Sequence, residues 1–160
     1  MPPFNLFTPK GQSAVHRSHE IALERGQTQV HALHLLLSLL TQDDSPLQDI
    51  FEEMDFDSGK VAEELASRLE DKGDGGAIFA GSTAMYLTGE FSETLDKASH
   101  ISKEMNEKSI DVYHILLGML RLHKEAGTFL SEFKLSEDVF KREAIKYIER
   151  RKLEELADAE

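Results

Sequence analysis

The chain has 160 residues, 40% of them hydrophobic, with 18 Lys+Arg against 30 Asp+Glu for a formal charge of −12 and no Cys or Trp. This length and apolar fraction fit one globular domain with a real core, which excludes a disordered tail and a multidomain machine. Without cysteine there is neither a disulfide scaffold nor a Cys-ligated zinc module, and so acidic a chain repels nucleic-acid phosphates and anionic lipid.

The opening Met1-Pro2-Pro3-Phe4-Asn5-Leu6 has no basic segment followed by an apolar run, which predicts no secretory leader and a cytoplasmic chain. Thr8 reads as an N-cap with Pro9 at the first helical position, where a missing N–H costs nothing. That helix is predicted to reach Arg25. The next runs from His31 to Thr41, carrying the stripe Ala32, Leu35, Leu36, Leu39 and Leu40. The mostly apolar stretch from Ala32 to Leu40 is about half the ~18 residues a membrane span needs. Helices over Ser45 to Met54 and Ser58 to Asp71 follow.

Between Lys72 and Thr83 the glycines Gly73, Gly75, Gly76 and Gly81 mark a linker, its latter part, with Ile78, Phe79, Met85 and Tyr86 in or beside it, expected to dock on the bundle. Beyond it, helices are predicted from Gly89 to Met105, Asp111 to His123, Lys124 to Phe133, and from Ser136 into the acidic tail. Val112, Ile115, Leu116, Met119, Leu120 and His123 trace the apolar stripe of the second of these. Strand-type alternation is missing throughout.

Sliding the second half onto the first at an offset of 80 residues gives a gapless match. Thr8 falls on Thr88, Ile21 on Ile101, His34 on His114, Leu36 on Leu116 and Leu40 on Leu120. Gly26 falls on Asn106, the two residue types that best tolerate the left-handed turn closing a helix. Past a loop of different length the register shifts by one, so that Phe56, Val61 and Leu65 face Leu135, Phe140 and Ala144. The expected architecture is all-α: about eight helices in one domain over 1–160, built from two tandem, pseudo-twofold-related four-helix repeats. Repeat one covers 7–71, the linker 72–84, repeat two 85–150 and a charged helical tail 151–160. The seam between the repeats is the natural place for a ligand groove.

The run Phe7-Thr8-Pro9-Lys10-Gly11-Gln12-Ser13-Ala14-Val15, followed by Val30-His31-Ala32-Leu33-His34 through Leu40, resembles the amino-terminal domain of the Clp chaperone ATPases. Tyr86-Leu87-Thr88, Leu95-Asp96-Lys97-Ala98 and Ile110 through Gly118 resemble the second copy of that family's repeat, the whole likeness covering residues 6 to 150. The Tyr-Leu-Thr opening is more like the ClpB disaggregase branch than the protease-linked ClpC branch. The resemblance implies a non-catalytic domain that receives unfolded or aggregated polypeptides, and adaptors, in front of AAA+ modules of a hexameric parent. ATP and magnesium would then act outside these 160 residues, with the domain alone a monomer. It also implies an inter-repeat groove to which Thr8, Glu107 and Leu95 correspond, with Val15 an apolar neighbour, Tyr113 where the family has a carboxylate and His114 where it has a leucine. The ClpC-type glutamates that hold phosphoarginine are Leu33 and Tyr113 here, neither able to pair with a guanidinium. Alternatives are an adaptor-docking domain of a ClpC- or ClpA-like unfoldase and a free-standing accessory protein of a Clp protease.

Other chemistry has little purchase. Gly59-Lys60 is followed by Val61 and has no upstream glycine at P-loop spacing, so no cofactor is expected in this chain. His16/His19 and His31/His34 have i, i+3 spacing without an HExxH string, and the recurrence of His34 at His114 reads as a fold-supporting hydrogen bond rather than a metal ligand. No Ser sits in a Gly-x-Ser-x-Gly turn. Adjacent carboxylates such as Glu52-Glu53 and Glu63-Glu64 diverge around their helices as solvated faces. Val15, Leu95 and Tyr113 also suit a core, and Thr8 a plain cap; Leu95→Asp is expected to abolish client binding with the fold intact. Acidic surroundings are expected to favour clients with basic flanks.

Overall fold

A computed structural model describes residues 1–71 and 86–159. The proposed linker, with its expected docking segment up to Met85, lies outside the described residues. A 3-10 turn at Phe4–Leu6 leads into α1 (Pro9–Glu24), then α2 (Ala32–Thr41), α3 (Pro46–Glu53) and α4 (Ser58–Asp71). The second set is α5 (Gly89–Glu104), α6 (Val112–Leu122), α7 (Glu125–Glu132) and α8 (Glu137–Asp158). These are the eight expected helices, and the starts are set by side chains. Thr8, Ser45, Thr88 and Ser136 each accept a backbone N–H of the first turn, from Gly11, Leu47, Phe91 and Val139 at 3.1–3.3 Å.

The repeat survives in the backbone. Gly26 and Asn106, 80 apart, take φ of +68° and +57°; Asp44 and His123, and Asp55 and Lys134, each 79 apart, also take left-handed conformations. Every helix-ending turn of this kind in repeat one thus has its partner in repeat two, with the one-residue slip where the sequence places it.

The structure adds two short parallel strands, β1 (Gln29–Val30) and β2 (Tyr86–Leu87), where strands were expected to be missing. Two residues are too few to show a period of two, and their partners lie in the other repeat. Tyr86 and Thr88 donate N–H groups to the carbonyls of Thr28 and Val30 at 3.0 and 3.2 Å. At the opposite end Thr8 donates to Ile110 O at 2.9 Å and Ile110 to Leu6 O at 2.8 Å. The lead-in to the first helix of each repeat therefore pairs with the loop after the first helix of the other, which ties the halves together about the pseudo-twofold.

The helices α2 and α6 lie at the centre. All residues from Ala32 to Leu40 and from Val112 to Leu120 are buried, so each is apolar around its whole circumference rather than along one stripe. One continuous core links both repeats, and Phe51 of α3 packs on Phe140 of α8 with ring centroids 5.8 Å apart. No helix among the described residues is long and apolar enough to cross a membrane. The helix α8 passes residue 150 without a break, which carries the charged tail alongside the seam.

Candidate functional site

At one end of the seam an open pocket of about 400 Å³ is lined by Thr8, the loop Asn106–Ser109, Asp111, Tyr113, and Arg151 and Lys152 of α8. Both repeats and the C-terminal helix contribute. Thr8 Oγ1 works in two directions: it accepts the Gly11 N–H and donates to Asp111 Oδ1 at 3.0 Å, bridging the cap of α1 to the cap of α6. Asp111 Oδ1 also accepts the Val112 N–H at 2.7 Å. Burial lifts the Asp111 carboxyl above the usual aspartate range, with these two donors opposing it only in part.

The loop before α6 positions Glu107, and the first turn of α6 positions Tyr113. The Tyr113 hydroxyl, 1% exposed as a residue, donates to Glu107 Oε1. Burial first, and the bond to Glu107 second, push the phenol pKa upward, so it stays a neutral donor. Arg151 reaches in from α8, its guanidinium carbon 5.7 Å from the centroid of the Tyr147 ring and Nη2 3.7 Å from Glu107 Oε1. Burial works against the Arg151 charge, but Tyr113 and Glu107 outweigh it and its pKa stands above the ordinary arginine value.

Of the six residues singled out in the sequence, the structure brings Thr8, Glu107 and Tyr113 together in this pocket. Val15, Leu95 and His114 lie in the core, at 6%, 1% and 0% exposure. His114 has a structural task there: its Nδ1 accepts the Asp111 N–H at 2.9 Å, as His34 Nδ1 accepts the His31 N–H at 2.8 Å in repeat one. Leu33 is buried as well. His19 Nδ1 lies 2.9 Å from Val15 O, and no cluster of three potential metal ligands occurs among the described residues. The other lining residues, Asp111 and Arg151 foremost, escaped sequence reasoning. Asp111 was visible as the start of α6, and Arg151 belongs to the one basic run, Arg150-Arg151-Lys152.

Burial, seconded by the Arg151 charge, depresses His114 to about 3, so the folded state holds it neutral. Between about pH 3 and its ordinary 6.5 the unfolded chain binds a proton that the native state refuses, so this contribution to stability falls as pH falls through that window. Asp111 acts in the opposite sense, its raised pKa favouring the native state at low pH and losing that advantage as pH rises from 3.8. Urea unfolding at pH 7 and pH 5 isolates the histidine. The cost of His114→Asn should shrink by about 2 kcal/mol on going to pH 5; an unchanged cost would mean that His114 titrates normally.

The model of the Clp repeat (R) N-terminal domain matches residues 6–133. Chaperone protein ClpB of Bacteroides thetaiotaomicron is 30% identical over 136 residues, 84% of this chain and 15% of the relative. The chain thus spans about 15% of the length of the curated relatives it matches. Among solved structures, the Hsp104 N-terminal domain from Candida albicans superposes with a TM-score of 0.71 at 19% identity, covering 87% of this chain and 89% of that one. A ClpV N-domain in complex with a VipB peptide superposes with a TM-score of 0.61 at 18% identity, covering 74% and 69%. The repeated fold, the matched span and these relatives together make this chain a member of the Clp N-terminal repeat-domain family.

Proposed function

We propose that this domain is a non-catalytic receiver that captures short segments of unfolded or aggregated polypeptides, for a ClpB-like ATPase, in the pocket between Thr8, Glu107 and Tyr113. The observation that carries the reading is that these three residues, drawn from both repeats, line one open pocket on the seam. In this reading nucleotide chemistry resides in AAA+ modules of a hexameric, cytoplasmic parent, and capture is weak because a shallow site anchors few side chains and clients must be released to the pore. The ClpV relative solved with a VipB peptide supports peptide binding as the mode.

Ser109 lines the pocket and is exposed. Ser109→Trp should therefore fill the pocket and weaken binding of a reduced, carboxymethylated model protein, followed by fluorescence anisotropy, about tenfold with the melting temperature within a few degrees of the parent. Undiminished binding would remove the pocket from the mechanism. Recovery of one stoichiometric folded partner instead would favour the adaptor-docking alternative.

A further inference from the structure

The charges around the pocket divide by what they touch. Each carboxylate has one oxygen engaged inward: Asp111 Oδ1 by the Thr8 hydroxyl and the Val112 N–H, Glu107 Oε1 by the Tyr113 hydroxyl. The cations are less fully engaged, Arg151 facing the Tyr113 and Tyr147 hydroxyls. Lys108 and Lys152 make no ion pair among the described residues. Arg151 has its nearest carboxylate oxygens, on Glu107 and Glu155, at 3.7 and 3.9 Å, beyond hydrogen-bond reach, and its buried Nε has no hydrogen-bond partner. One oxygen of each carboxylate is occupied, while the three cations hold most of the donor capacity of the pocket, the largest share on one guanidinium that can grip a carboxylate with two parallel bonds.

From this imbalance we infer that the pocket prefers client segments carrying an acidic side chain beside their apolar residues, and that Arg151 is the residue that reads it. The inference rests on the peptide-capture reading above. It reverses what the net charge of −12 suggests, and distance decides between the two. Charges spread over the surface are screened beyond about 8 Å at physiological salt, whereas a ligand in the pocket meets three cations, Lys108, Arg151 and Lys152, against two carboxylates, Glu107 and Asp111, a local excess of positive charge. On the far side of Arg151 a second cleft sets four carboxylates, Asp49, Glu52, Glu53 and Glu154, against Arg150 and Arg151, an acidic excess that disfavours the same group there.

Three fluorescein-labelled decapeptides, identical but for a central Glu, Gln or Lys among leucines and serines, test this by anisotropy on the full chain. The Glu peptide should bind about tenfold more tightly than the Lys peptide at low salt, with the gap closing toward 0.5 M salt. Arg151→Gln and Lys108→Gln should each narrow the ratio, Arg151→Lys should keep part of it, and Arg151→Glu should invert it. A merely structural role for Arg151 would move all three peptides together. Peptides that bind without regard to charge, or favour Lys, while Ser109→Trp still blocks them, would overturn the inference and leave the capture reading standing. If none binds, or Ser109→Trp changes nothing, both fall.

Discussion

Leu95→Asp should unfold this domain rather than empty a groove. The side chain is 1% exposed and belongs to the buried face of α5, within the common core. Truncating a buried leucine costs about 2–5 kcal/mol, and a carboxylate in its place adds the penalty of a buried, unpaired charge, several kcal/mol more or a pKa shift of equal cost. Against a total stability on the order of 5–15 kcal/mol, little is left. From its helical spacing alone Leu95 reads equally as groove or core, and the groove reading expects lost binding in an intact fold. Far-UV circular dichroism decides: a cooperative melt within a few degrees of the parent would show that Leu95 is not where the structure places it.

The same residue shows what was legible. Helix starts and the repeat register lie in local chemistry: Thr8 is the cap expected of it, and Ser45, Thr88 and Ser136 cap helices at the starts the sequence marks. The offset of 80, slipping to 79, reappears as paired left-handed residues. Local pattern does not show depth. A stripe such as Leu35–Leu36–Leu39 marks one apolar face, and only the docking of both repeats around α2 closes the other. The strand pairs are invisible for a like reason, being two residues long with partners in the other repeat. Arg151 is the clearest loss, because its place beside Thr8 and Glu107 depends on how the last helix lies across the seam.

The pseudo-twofold also has an empty counterpart. At the positions equivalent to Thr8, Glu107, Asp111 and Tyr113 stand Thr88, Gln27, His31 and Leu33. Thr88 caps α5 as Thr8 caps α1, yet the acids and the phenol are gone, Gln27 is 2% exposed and Leu33 is core. Among the described residues the polar network occupies one of the two equivalent ends, so the proposed capture reading expects one peptide per chain.

That network hangs from α6, which makes the packing of α6 the point of greatest sensitivity, and Gly127→Ala should show it. A Cβ at Gly127 in α7 would stand 2.4 Å from the Met119 carbonyl oxygen of α6, and one at Gly118 in α6 would stand 2.8 Å from the Thr94 carbonyl oxygen of α5. In both cases the obstacle is backbone, which cannot rotate aside, so whole helices must shift. Repeat one shows the less crowded solution: Ser38, the equivalent of Gly118, fits and donates its hydroxyl to the Ala14 carbonyl at 2.8 Å. Overpacking of this kind costs about 1–3 kcal/mol and at times more. Gly89→Ala is the control, since nothing lies within 4 Å of its Cβ position at the start of α5 and the change should stabilise by up to about 1 kcal/mol. Urea midpoints should therefore move in opposite directions for the two substitutions. Because Asp111 caps α6 and Tyr113 stands in its first turn, Gly127→Ala should also weaken peptide binding in protein that is still folded, which Gly89→Ala should not. Equal midpoints for Gly127→Ala and the parent would mean that α6 and α7 do not touch as closely as this packing requires.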